Sequence, residues 1–175
     1  MSTWLELSNE IKRRHSAAYL TGPQRAAFEA LLQHLRGPNW VNLCGPPGSG
    51  KTLLAWLIAR ATGLTYVAHP ARLHHIPPAP IGLIIDNAPV SETDARTVLA
   101  ECGLLNCLTV LLVTQRPIAM PMRRVILPLP TSDDIQVAAQ TLARLGYACN
   151  RASLPPQPSY WDVLAACIWE RSPWA

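Results

Sequence analysis

Between an apolar run ending at Cys44 and another beginning at Leu53 the chain reads Gly45-Pro46-Pro47-Gly48-Ser49-Gly50-Lys51-Thr52, and no other stretch restricts its possible folds so tightly. The glycines let the backbone curl so that successive N–H groups converge on one point. Trp40 to Cys44 ahead of it reads as a strand and Thr52 to Ala61 behind it as a helix. In that setting the spacing G-x-x-x-x-G-K-[ST] is the one that cradles phosphate oxygens. Gly45, Pro46, Pro47, Gly48, Ser49 and Gly50 would form the cradle, and the helix behind adds its positive end. Lys51 would reach the β- and γ-phosphates as a compact charge, and Thr52 would offer its hydroxyl to Mg²⁺. Of 15 Lys+Arg residues only Lys12 and Lys51 are lysines, which suits a task that arginine's planar fork does not perform.

A phosphate loop of this kind needs a second element to hold the metal, an acid at the end of another buried strand. Ile81-Gly82-Leu83-Ile84-Ile85-Asp86 supplies it, so Thr52 and Asp86 are the candidate Mg²⁺ ligands. Asn87 follows where many such ATPases carry a glutamate. An amide orients water but does not take its proton, so hydrolysis is expected to be slow unless Glu92, Glu101 or a partner supplies a base.

The remaining chain fits an alternating α/β domain. With 175 residues and 49% apolar content, it is long enough for one domain with a core and too apolar for disorder. Five short runs read as strands: Trp40 to Cys44, Leu64 to Ala68, Ile81 to Ile85, Leu108 to Val113 and Val125 to Leu127. Their continuous rather than alternating hydrophobicity predicts a mainly parallel sheet covered on both faces, a three-layer α/β/α arrangement. Helices are predicted around Trp4, Leu7 and Ile11, after Gly22-Pro23 up to Gly37-Pro38, and over Thr52 to Ala61. Three more should open at Ser91/Asp94, Thr131/Asp134 and Ser159/Asp162, each a hydroxyl followed three residues later by an acid. The last two, carrying Ile135, Ala138, Ala139 and Leu142, then Trp161, Leu164, Ala165 and Ile168, flank a linker with Pro155, Pro156 and Pro158 and should form a small helical lid. The expected organisation is a basic N-terminal segment (1–20), a P-loop core (21–130) and a truncated lid (131–175).

The order of these motifs resembles the AAA+ and STAND ATPases, and within AAA+ the bacterial replication-initiator and loader group. The resemblance covers roughly residues 20 to 147. It runs through the phosphate loop, Ile84-Ile85-Asp86-Asn87, Leu111-Leu112-Val113-Thr114-Gln115-Arg116 and Arg123-Arg124-Val125-Ile126-Leu127-Pro128-Leu129. It implies ATP and Mg²⁺ as ligands, Thr114 as a polar sensor of the γ-phosphate, and Arg123 or Arg124, with Arg116 a weaker candidate, acting on a neighbouring subunit's nucleotide. It also implies assembly with itself or a larger protein. The absent second acid and the short lid depart from the pattern; Arg144, Arg151 or Arg171 would have to replace the family's second sensor arginine. Separately, Leu20-Thr21-Gly22-Pro23-Gln24-Arg25 resembles the adenine-reading segment ahead of the phosphate loop in many helicases, with Gln24 as the bidentate amide. The chain is too short for a helicase's two motor domains.

The favoured function is a Mg·ATP-binding ATPase of slow turnover, a nucleotide-dependent subunit of a larger, DNA-associated assembly. The runner-up is a non-hydrolysing, nucleotide-stabilised adaptor of a phage-defence (BREX-type) or transposition complex; a small-molecule kinase is disfavoured for want of an Arg-rich lid. Lys12, Arg13, Arg14, Arg25 and Arg36 give the first 40 residues a small positive excess, weak support for DNA. Cys44, Cys102, Cys107, Cys149 and Cys167 form no C-x-x-C pair, which favours free thiols, and His74-His75 lacks the partners of a metal site. With no membrane-length apolar run and no secretory leader, the expected location is cytoplasmic.

Overall fold

The computed structural model describes residues 16–144, 146–147 and 154–169, together with Arg13 and Ala152. The predicted helix around Trp4, Leu7 and Ile11 lies outside them. Five strands form one all-parallel sheet: β1 (Trp40–Cys44), β2 (Thr65–Val67), β3 (Leu83–Ile85), β4 (Val110–Thr114) and β5 (Arg123–Ile126), in the order β2-β3-β4-β1-β5. The helices are α1 (Gly22–His34), α2 (Lys51–Thr62), α3 (Glu92–Leu104), α4 (Ser132–Arg144) and α5 (Tyr160–Trp169), with 3₁₀ turns at Ala17–Tyr19 and Pro70–His75. The chain divides into two compact units, residues 26–128 and residues 1–25 with 129–175.

The larger unit contains the sheet. Its β3 and β4 are buried at every position, as unbroken apolar runs in a parallel sheet require. Val67, Leu83, Ile85, Val110 and Leu112 pack with Ala95, Val98, Leu99 and Cys102 of α3. Leu111 and Val113, which alternate to the other face, are equally buried, as are Leu54, Ala55, Leu57 and Ile58 of α2. Helix α2 packs against β2 and β4. The register pairs Cys44 with both Thr114 and Ile126, and Val67 with Ile85, so the carboxyl ends of the strands gather at one edge. The ladder continues past them through Leu127 N–H to Cys44 O (2.8 Å), Asp86 N–H to Val67 O (2.8 Å) and Ala88 N–H to Val113 O (3.0 Å).

Strand boundaries shift in four of the five strands. Ile81 and Leu108, expected within strands, are 80% and 65% exposed and precede β3 and β4. Between Ile81 and Leu83, Gly82 passes so close to the Leu64 side chain and the Thr109 carbonyl that a Cβ has no room, and regular pairing starts beyond it. Conversely β5 begins at Arg123, so the paired arginines lie inside the strand instead of ahead of it.

The smaller unit has its own apolar cluster, Ile135, Ala139, Leu142, Tyr147 and Val163, with Leu154, Tyr160 and Leu164 against it. The hydroxyls of Thr21 and Tyr160 are hydrogen bonded at 2.8 Å. Two of the three expected caps are reciprocal: Asp134 and Asp162 accept from Thr131 and Ser159 at both backbone and hydroxyl, and return their own N–H groups to those hydroxyls. At α3 the Ser91 hydroxyl accepts the Asp94 N–H. Trp161 departs from expectation: it is 54% exposed, while Val163 and Ala166 are buried. The buried stripe of α5 is rotated from the predicted one because Tyr160, in the first turn, turns its ring toward Thr21.

Among the described residues no helix is long and apolar enough to cross a membrane. Cys44, Cys102 and Cys107 are free and buried, and burial pushes the Cys102 thiol up to about 12. Cys149 lies outside the described residues.

Candidate functional site

The phosphate-loop motif bridges the end of β1 and the first turn of α2. Gly48 and Gly50 have φ of 77° and 89°, left-handed conformations that side chains resist, and Gly50 is the N-cap of α2. Gly45 lies against the Leu127 carbonyl with no room for a Cβ, so β1 can turn into the loop beside β5 only with glycine there. Ser49 is fully buried. The Lys51 ammonium donates to the Pro46 carbonyl (2.7 Å) and the Ser49 hydroxyl (3.3 Å). Burial lowers its pKa, while the negative charge of Asp86 works in the opposite direction.

Asp86, the residue after β3, is buried among donors. Its Oδ2 accepts the Thr52 hydroxyl at 2.8 Å and the Tyr66 phenol at 2.8 Å, and its Oδ1 accepts the Asn87 N–H at 2.8 Å. The helix after the loop and the strand two places along the sheet thus bring together a hydroxyl and a carboxylate, hard oxygen donors of the kind Mg²⁺ takes. Two protein ligands suffice for Mg²⁺, which keeps waters and fills its remaining positions with substrate phosphates. Among the described residues no cluster of three or more His, Cys, Asp or Glu side chains offers a self-sufficient metal cage. Tyr66 was not visible as a site residue in the sequence, because a tyrosine in Thr65-Tyr66-Val67 is ordinary strand composition. Burial raises its pKa, and the Asp86 charge and hydrogen bond raise it further.

Asn87 has φ 53°, a left-handed conformation asparagine tolerates, and its side-chain amide donates to Ala68 O at 3.0 Å. Of the alternative bases, Glu92 is held by Arg96 at 2.6 Å and Glu101 stands more than two turns further along α3.

A second polar cluster lies inside the sheet. Asn42, fully buried in β1, donates through Nδ2 to the Thr114 hydroxyl (2.8 Å) and the Leu112 carbonyl (3.1 Å), while its Oδ1 accepts the Ile118 N–H (3.2 Å). The Thr114 hydroxyl donates to Arg116 O at 2.7 Å. Arg123 and Arg124 are both exposed, and Arg124 donates to the carbonyls of Ile118 (2.9 Å) and Met120 (3.2 Å). Asn42 was also missed. Its signal was present: a polar side chain in Trp40-Val41-Asn42-Leu43-Cys44, a strand buried on both faces, must find partners. Gln24 is buried in the other unit, and its Oε1 accepts the Thr21 N–H at 3.2 Å.

No known protein-family model matches the sequence, and no characterised protein matches it by sequence. Solved structures do match by shape. A DNA replication initiation factor aligns over 81% of this chain and 58% of its own, at 14% identity and a TM-score of 0.53. Its fold is that of the AAA+ P-loop ATPases. The RuvB Holliday junction branch migration motor of Thermotoga maritima (17% identity, 82% of this chain, 58% of that one) and AMPPCP-bound DnaA of Aquifex aeolicus (14%, 77% and 56%) each align at 0.49. The chain therefore spans less than two thirds of the length of these structures. Within the AAA+ fold the phosphate loop, Asp86 and Thr114 all stand at the carboxyl edge of the sheet, where open α/β sheets place their ligands.

Proposed function

We propose that the chain binds Mg·ATP through the loop Gly45–Thr52 and turns it over slowly, as the nucleotide-dependent subunit of a larger assembly. The observation that carries this is the Thr52 hydroxyl 2.8 Å from Asp86, beside a loop whose glycines curl left-handed and whose lysine lies half-buried on it. Loop amides and Lys51 would hold the phosphates, and Thr52 and Asp86 the metal. A Mg²⁺ held by Thr52 and Asp86 would supply charge neutralisation for phosphoryl transfer. Slow turnover follows from Asn87, which has no carboxylate to take a proton from water and whose amide is tied to Ala68. Of the two arginines proposed to act across an interface, Arg123 is the better candidate, since Arg124 already braces two carbonyls. Thr114 remains the proposed γ-phosphate sensor and Gln24 the proposed adenine reader; each would have to exchange a present hydrogen bond to serve.

The relative named as a DNA replication initiation factor makes a DNA-associated assembly the natural context to test. The adaptor reading is favoured by the same Asn87 and differs only in turnover. Calorimetric titration with Mg·ATP should show binding that Lys51→Ala abolishes while the fold survives; equal affinity in the variant overturns the reading. Phosphate release with and without DNA then separates the two forms: steady release marks the ATPase, and tight retention without release marks the adaptor.

A further inference from the structure

Asp86 is the single acid at the end of β3, and the way it is held goes beyond the motif. Its Oδ1 is taken by the backbone N–H of Asn87 and its Oδ2 by two hydroxyls, Thr52 from α2 and Tyr66 from β2. Tyr66 is itself fixed. The Trp56 ring meets it edge-on, with centroids 5.9 Å apart and planes at 67°, and the indole donates to the phenol oxygen. Thr52 and Trp56 are four residues apart and so share one face of α2. The helix that follows the phosphate loop thus grips Asp86 by two routes, one direct through Thr52 and one relayed through Trp56 and Tyr66.

These routes differ in what they do once a cation arrives. The Thr52 hydroxyl would ligate Mg²⁺ through an oxygen lone pair, so the Thr52 route would carry a second task on loading. The phenol of Tyr66 has no such second task. It only holds the carboxylate: with the Asn87 N–H on Oδ1 it stops Asp86 from rotating, and Oδ1 keeps a lone pair that could face a cation. We infer that Tyr66 is the positioning residue of the metal site, keeping Asp86 aimed at Thr52's metal while Trp56 keeps Tyr66 in place. This rests on the Mg·ATP reading and adds the residues that orient its acid.

The test measures the Mg²⁺ concentration that half-saturates ATP binding, by titrating Mg²⁺ into the full chain at fixed fluorescent ATP, alongside binding with Mg²⁺ chelated. Tyr66→Phe should raise that concentration about ten-fold or more, and leave metal-free ATP binding within about two-fold. Trp56→Phe, which keeps the phenol but loosens it, should move it the same way by less, and serves should Tyr66→Phe fold poorly. A loss of packing alone would weaken binding equally with and without the metal. Half-saturation unchanged in a folded variant, or equal losses in both conditions, overturns the role of Tyr66 while sparing the Mg·ATP reading. Wild-type protein whose ATP binding ignores Mg²⁺ overturns the reading itself.

Discussion

Two buried polar clusters belong to the same sheet, one at its carboxyl edge and one within it, and their chemistry is opposite. Around Asp86 a carboxylate collects donors from α2, β2 and its own backbone, and one of these, the Thr52 hydroxyl, is the proposed second ligand of a cation. Around Asn42 a neutral amide closes a circuit: it donates to Thr114 and Leu112, accepts from Ile118, and Thr114 passes its own proton to Arg116. The first cluster carries the negative charge of a carboxylate. The second uses neutral groups to bind β1, β4 and the Arg116–Met122 connection to one another, with Arg124 bracing the connection from β5. Sharing a sheet does not give two clusters one function; what decides is whether a cluster carries a charge or closes on itself.

The largest expected effect breaks that comparison directly. Asn42→Val leaves the Ile118 N–H and the Leu112 carbonyl in the core with fewer partners, and at about 1–3 kcal/mol per unsatisfied group should cost about 3–5 kcal/mol. Asp86→Asn keeps an oxygen acceptor, and the Thr52 and Tyr66 hydroxyls can reverse direction, so its cost should be about 1 kcal/mol. Ligand binding should rank them the other way: Mg²⁺-dependent ATP binding is lost in Asp86→Asn and retained in Asn42→Val. Urea denaturation paired with calorimetry checks both halves, and parallel losses in the two variants would dissolve the distinction.

Thr114 sharpens the comparison because it has two proposed tasks. As a member of the closed circuit its hydroxyl is structural, and Thr114→Val should lower stability by about 1–2 kcal/mol, with Thr114→Ser restoring most of it. As a γ-phosphate sensor it should instead lower turnover in both the presence and absence of denaturant, with little change in the unfolding midpoint. We expect the stability effect to dominate, read from urea midpoints of the three proteins against their phosphate-release rates.

What the sequence disclosed follows the same division. The phosphate loop and Asp86 were legible because each is a local pattern, glycines at set spacing or an acid closing an apolar run, and local patterns need no knowledge of the partner. Tyr66 was not, because its meaning comes from Asp86, 20 positions away; Asn42 signalled a need for partners but not that one of them is Thr114, 72 positions away. A mainly parallel sheet was readable from runs without alternation, and the pairing is parallel throughout. Its edges were less so: exposure of Ile81 and Leu108 depends on Gly82 packing against Thr109, a contact between strands, and Trp161 faces outward because Tyr160 takes the inward place beside Thr21.

Asn87 is where the Asp86 cluster meets the missing acid. Asn87→Glu forfeits the bond to Ala68 O and places a larger side chain at φ 53°, together about 1–2 kcal/mol. Freed from that tie, which a carboxylate facing a carbonyl cannot form, the acid becomes available to take a proton from water, and ATP turnover should rise. Thermal unfolding and steady-state phosphate release measure the two sides. A destabilised variant with unchanged turnover means that the water is positioned by another group.

The smallest effect belongs to a carboxylate outside the sheet, and it isolates what distant partners add. Asp162 accepts from the backbone and hydroxyl of Ser159, three residues away, and these bonds hold its pKa below the ordinary 3.8. A depressed carboxylate binds fewer protons folded than unfolded, so its contribution is complete above 3.8 and is lost as the pH falls through the folded value. Ser159→Ala removes the hydroxyl and should move the Asp162 titration, followed by carboxyl NMR, back toward 3.8, with a stability loss of no more than about 1 kcal/mol. The loss should stay in the smaller unit's melting and leave Mg²⁺-dependent ATP binding untouched, because every partner of Asp162 is local to its own helix start. The partners of Asp86 come from another helix and another strand, so disturbing any of them should register in ligand binding. A Ser159→Ala protein with altered Mg²⁺ dependence would show that the two acids are coupled and that a locally satisfied carboxylate is no control for one held across the sheet.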